Sequence, residues 1–143
     1  MSFDFELVNK DLKISTDGSV KTITDTPKLR QEIIKIILTP IGSLKQHPWY
    51  GCAVAENIIG VPLDNTILES QLVSDVNESL ERLQSLQKSQ ALGQKVTLAE
   101  IIETIVDVHG ERNVEDPRLI EVVVTVLSKR LSKIEEYFMI NSQ

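Results

Sequence analysis

Cysteine is almost missing from this chain: Cys52 stands alone among 143 residues. A lone thiol cannot close an internal disulfide, so nothing in the sequence asks for an oxidising compartment. Aromatic residues are scarce as well, at 4%. Aliphatic side chains must therefore build the core, and an aromatic-lined sugar cleft has little to be made from. Lys and Arg number 15 against 21 Asp and Glu, a net charge of -6. Nucleic-acid affinity rests largely on Lys and Arg, so no nucleic-acid partner is expected. No apolar run approaches the roughly 20 residues of a membrane-crossing helix, and no membrane partner is expected either. The start, Phe3-Asp4-Phe5-Glu6, carries acid where a secretory signal carries base. A soluble product made in a cytoplasm is the expectation.

Hydrophobic residues at 41% and charged residues at 25% match a globular chain, and the length suits one domain spanning residues 1–143. Its first segment reads as a hairpin. Leu12 and Ile14 lead into Asp17-Gly18, a favoured tight turn, and Val20 and Ile23 follow. A helix begins at Thr26-Pro27, with Thr26 as N-cap and Pro27 at the first helical position. Leu29, Ile33, Ile36 and Ile37 share one stripe, widened by Ile34 and Leu38, while Lys28, Glu32 and Lys35 take the polar side. Pro40 disfavours helical geometry at Thr39 and ends the helix there. An aromatic loop, His47-Pro48-Trp49-Tyr50, lies between Gly42 and Gly51, glycines able to supply positive φ.

A short helical turn, Asn57-Ile58-Ile59, is closed by Gly60. A long helix capped by Asp64 or Asn65 then carries the stripe Leu68, Leu72, Val76, Leu80, Leu83 and Leu86 and stops at Gly93. Glu69, Asp75, Glu78, Glu81 and Arg82 fall on its other faces. Thr97-Leu98-Ala99-Glu100 is a capping box that predicts a third helix, through Ile101, Ile102, Ile105 and Val106 to a stop at Gly110. From Leu119 to Ile140 strand and helix periods compete, and the valine cluster favours strand. The reading is a hairpin turning near 129–132 and returning through Ile134, Glu136, Phe138 and Ile140.

Chemistry-bearing patterns are few. Glu78, Glu81 and Glu135 fall on expected solvated faces rather than in the contrasting environments that acid-base pairs need. His47 and His109 each lack a second ligand at metal spacing, so neither metal nor cofactor is expected. His47 fits a hydrogen bond within its loop, and His109 a helix C-terminus. Cys52 reads as a small packed residue; pairing with His47 as a nucleophile would lack an orienting third group. Trp49 and Tyr50 are expected to bury against the first helix. In Asp116-Pro117-Arg118, an arginine is fixed beside a rigid proline just before a strand. Its forked donors suit either a partner or an internal carboxylate.

The segment Leu29 to Gly51, with its amphipathic helix, Thr39-Pro40-Ile41-Gly42 turn and Pro48-Trp49-Tyr50-Gly51 loop, resembles the baseplate wedge and sheath-initiator proteins of contractile phage tails, the baseplate assembly protein W-like family. Relatives also serve in type VI secretion and contractile injection systems. The long helix fits that pattern, and Asp116-Pro117-Arg118 stands where the family carries Glu-Pro-Arg before a terminal hairpin. An additional segment, Leu92 to Val114, intervenes. The resemblance marks Thr39, Gly42, Pro48, Trp49 and Gly51 as a structural loop and implies that Asp116, Pro117 and Arg118 hold the core formed by other wedge proteins. It implies an α+β fold with an N-terminal hairpin, three helices and a C-terminal β-hairpin joining a mixed sheet. That hairpin, through Val122, Val124, Val126, Ile134 and Phe138, would nucleate the tail sheath. The partners implied are wedge proteins and the sheath protein, with the tail tube as a further candidate, in a virion assembled in the host cytoplasm. A structural, non-enzymatic role is expected. The alternative is a lysozyme-like cell-wall hydrolase, since some members carry that label.

Overall fold

The computed structural model describes residues 2–9 and 11–141. Four two-residue strands open the chain: β1 (Asp4–Phe5), β2 (Leu7–Val8), β3 (Asp11–Leu12) and β4 (Thr22–Ile23). β1 pairs with β4 and β2 with β3, both antiparallel. The expected turn is present, with Gly18 at φ +84 and Ile14 bridged to Val20. Asp17 fixes it by accepting from Ser19 N and Oγ. The hairpin is wider than its sequence pattern, because residues 4–8 fold back and pair as well.

Helix α1 (Asp25–Leu38) starts slightly before the expected Thr26-Pro27, with Thr24 as N-cap. Leu29, Ile33, Ile36 and Ile37 are buried as expected, Ile34 is half-buried and Leu38 exposed. Lys28 departs from its assigned polar side: it is buried and pairs with Glu32 at 2.9 Å. The helix does stop at Pro40, with Thr39 extended. The helical turn lies earlier than the expected Asn57-Ile58-Ile59: α2 spans Val54–Asn57, and Ile58 and Ile59 form the turn that leads to Gly60 at φ +76.

Helix α3 (Asn65–Gly93) follows the expected stripe, burying Leu68, Leu72, Val76, Leu80 and Leu83. Asp75, assigned to another face, is also buried. Asn57 Nδ2 donates to both its carboxylate oxygens at 3.1 Å, and Gln71 Nε2 donates at 3.0 Å. Such donors replace the water a buried carboxylate loses.

The third helix does not form. Its capping box is real, but it closes only a 3-10 turn, Leu98–Glu100, and Ile101 is already extended. Strand β5 (Ile102–Arg112) follows, pairing antiparallel with β6 (Leu119–Ser128), which pairs antiparallel with β7 (Lys133–Asn141). Register shifts at 102/104 and 105/107 explain the misleading period. Each bulge advances the strand by one residue, so the apolar positions lose strict alternation and mimic a helical stripe. Gly110 is therefore no helix stop, and His109 sits on a strand rather than at a helix end. The terminal hairpin itself forms as read from the valines. Its sheet is antiparallel throughout, not mixed, in the order β5-β6-β7.

The core lies between that sheet and the helices. Ile102, Val108, Ile120, Val122, Val124, Val126, Ile134 and Ile140 meet the buried stripes of α1 and α3. At Gly110 a Cβ would come within 1.8 Å of Leu72 Cδ2, so this glycine lets α3 lie close on β5. Lys28, Glu32 and Gln87 form a polar chain through the core. Gln87 Nε2 donates to Glu32, and its Oε1 accepts from Ile102 N where β5 begins.

Candidate interaction surface

Strand β6 is central, and this changes the role of its valines. Val122, Val124 and Val126 are all buried against the helices. Both flanks of β6 are paired, so it cannot take a further strand, which corrects the part expected of Val122, Val124 and Val126 in binding the sheath. Ser128 N donates to Ser132 O, and Lys129 N donates to Ile101 O. Even-numbered residues of β6 thus direct their main chain toward β7, and odd-numbered ones toward β5. Ile134 and Phe138 stand opposite Val126 and Val122. Their main-chain groups also face β6, while their side chains face the core.

The outer main-chain groups of β7 belong instead to Glu135, Tyr137 and Met139. Among the described residues no strand pairs with β7 on that side, and Tyr137 and Met139 are exposed. Arg30 of α1 covers part of this edge. Its Nη1 donates to Glu135 O at 3.1 Å and to Glu136 Oε1 at 2.6 Å. The outer side of β5 is treated in the same way: Gln84 of α3 donates to Ile102 O and Glu103 O. A helical side chain thus occupies main-chain acceptors on each outer strand, a local means of blunting an edge.

Asp116-Pro117-Arg118 lies just before β6. Arg118 donates from Nε and Nη2 to the two carboxylate oxygens of Asp116, both at 2.9 Å. This hydrogen-bonded fork holds the Asp116 carboxyl below its ordinary pKa. The arginine remains largely exposed, with its guanidinium held in a set orientation. Of the two open readings, a carboxylate does bind Arg118, that of the neighbouring Asp116.

The glycine-bounded loop is tightly built. Gly42 and Gly51 adopt φ +81 and +123. A Cβ at Gly51 would lie 2.5 Å from Thr39 O. Cys52 N donates to Thr39 O, Gly42 N to Pro48 O, and Thr39 Oγ1 to Lys35 O. Tyr50 packs against the core as expected, and burial pushes its hydroxyl pKa up to about 12, helped by the nearby Glu32 and Asp4 carboxylates. Trp49 does not bury against α1: it is 44% exposed, with His47 edge-on at 5.8 Å. It borders a trough of about 680 Å³ shared with Glu78, Glu81, Arg82 and Leu86 of α3. Sequence reasoning missed this surface because a scarce tryptophan is normally expected in the core.

Cys52 is buried, with its Sγ donating to Asp75 O at 3.4 Å and its thiol pKa raised by burial. His109 lies 3.5 Å from Glu69 and 3.9 Å from Glu111. Among the described residues no group of three or more His, Cys, Asp or Glu is placed to hold a metal, and no helix is long and apolar enough to cross a membrane.

These elements define a small α+β domain with helices on one face of a three-stranded antiparallel sheet. A solved structure from Geobacter sulfurreducens, described as that of a "putative tail lysozyme", is similar with a TM-score of 0.58, covering 79% of this chain and 86% of that one. Sequence identity is 15%, so the likeness is one of fold. No protein-family model and no curated protein matches the chain.

Proposed function

We propose that this protein is a structural, non-enzymatic component of a contractile tail baseplate, binding wedge proteins and nucleating the tail sheath. The observation carrying this reading is the outer edge of β7, which no strand pairs among the described residues and which Arg30 covers only at Glu135, in a fold similar to that of a protein described as a "putative tail lysozyme". The helix-turn-loop segment Leu29 to Gly51 adds support. Strand addition at an exposed edge supplies affinity through main-chain hydrogen bonds and register through alternating side chains. The acceptor is the Glu135–Tyr137–Met139 edge, in place of the valines of β6. Asp116-Pro117-Arg118, just before β6, presents a preset guanidinium to the wedge core.

The hydrolase reading draws on the trough holding Trp49, Glu78 and Glu81. Glycosidases set two carboxyls on opposite sides of the scissile bond. Glu78 and Glu81 are three residues apart on one helix and therefore form a single wall, which favours the structural role.

Two experiments separate these readings. Tyr137→Pro removes an outward-facing donor that the fold does not use, and edge strands tolerate proline. Baseplates with tubes but without extended sheath are expected. Full-length sheaths on Tyr137→Pro baseplates would refute edge nucleation. Cell-wall turbidity assays should show no clearing, and clearing abolished by amidating one carboxylate would establish the enzyme.

A further inference from the structure

We infer that the trough between Trp49 and α3 is a docking surface for a partner-protein segment combining an apolar side chain with a lysine or arginine. The inference stands independently of the tail reading. Large aromatics dominate binding energy where they are presented without having to be ordered first. Trp49 is so presented. Its loop is closed by the Cys52–Thr39 and Gly42–Pro48 hydrogen bonds and tied to α3 by Arg82 Nη2, which donates to Gly51 O at 3.0 Å.

Charge selects the occupant. Glu78 and Glu81 line the trough against one cation, Arg82. Arg82 has one end engaged with Gly51 O, and its Nη1 stands 3.7 Å from Glu78. Glu78 is itself mostly exposed, and Glu81 has no hydrogen bond or ion pair among the described residues. Two carboxylates beside an exposed indole suit a cation, through ion pairing and attraction to the ring face. Leu86, half-buried and lining the trough, suits the apolar side chain. The chain's net charge of -6 would steer such a segment in.

Trp49 is the chain's only tryptophan, so its emission reads the trough directly. The intact protein is titrated with a synthetic leucine–lysine peptide and with its leucine–glutamate counterpart. Saturable change with the lysine peptide alone is expected. Glu78→Gln/Glu81→Gln should weaken it about tenfold, as loss of complementary charge does. Glu56→Gln/Glu103→Gln, with the same net charge but away from the trough, should not. Equal response to both peptides, equal weakening by both double variants, or no change in emission would overturn the proposal. An emission shift with protein concentration alone would give the trough to a second copy and overturn it too.

Discussion

Arg30 of α1 donates to the main-chain oxygen of Glu135, an acceptor on the outer edge of β7, at 3.1 Å. The same guanidinium holds the half-buried Glu136 carboxylate at 2.6 Å, so its position over the edge is anchored. An incoming strand needs the Glu135 oxygen that Arg30 now occupies. Arg30→Ala should therefore raise concentration-dependent self-association, measured by sedimentation velocity. It should also lower stability by about 1 kcal/mol, the scale of a partly exposed charged pair. Unchanged sedimentation would show that Arg30 does not guard this edge.

Much of this architecture is written in residue patterns. The isoleucine stripe of α1 and the leucine stripe of α3 each repeat at one period, and in β6, where strand and helix periods compete, the β-branched valines decide for strand. β5 was illegible because its two bulges break the period of two, and because a genuine capping box at Thr97 and Glu100 precedes it. The choice between a 3-10 turn and a full helix was made by nonlocal pairing with β6, which no local pattern displays. The interaction surface suffered for the same reason. With β5 read as a helix, β6 looks like an edge strand, and its buried valines look like docking residues.

Gly110 and Gly51 separate two kinds of glycine requirement. Gly110→Ala meets the side chain of Leu72, which can shift only within a packed core, so a cost of about 1–3 kcal/mol is expected. Gly51→Ala meets main-chain atoms of Thr39 and Ile41 at a φ of +123, where no rotamer gives relief. It should cost at least about 3 kcal/mol. Urea unfolding of both variants checks the order, and a smaller loss for Gly51→Ala would show that the loop rearranges cheaply.

Tyr50 supplies an alkaline signature. Its hydroxyl is raised to about 12 from an ordinary value of 10.0. The folded state thus holds this proton more tightly than the unfolded chain. The resulting stability is complete below pH 10 and is lost as pH rises toward 12. Ultraviolet titration of the two tyrosines should show Tyr137 ionising before Tyr50, and Tyr50→Phe should remove the later step. A single step near the ordinary value would mean that Tyr50 is not enclosed in solution.

Arg118 and Asp116 form a local fork two residues apart on a largely exposed loop. Such a pair adds little to monomer stability, since water screens it and solvates either partner alone. Its effect is to orient the guanidinium. The Asp116 carboxyl is depressed by the fork, so its contribution holds above the ordinary carboxylate range and disappears only as acid protonates it. Near neutral pH the fork is therefore intact and insensitive to small pH changes. Arg118→Ala should leave the melting temperature nearly unchanged while wedge-partner assembly fails. Arg118→Lys, which keeps the charge but not the fork, should fail as well, because a lysine cannot reproduce two parallel donors. Normal assembly by the lysine variant would reduce the requirement to charge alone, and normal assembly by the alanine variant with a clear loss of monomer stability would make Arg118 an internal tie.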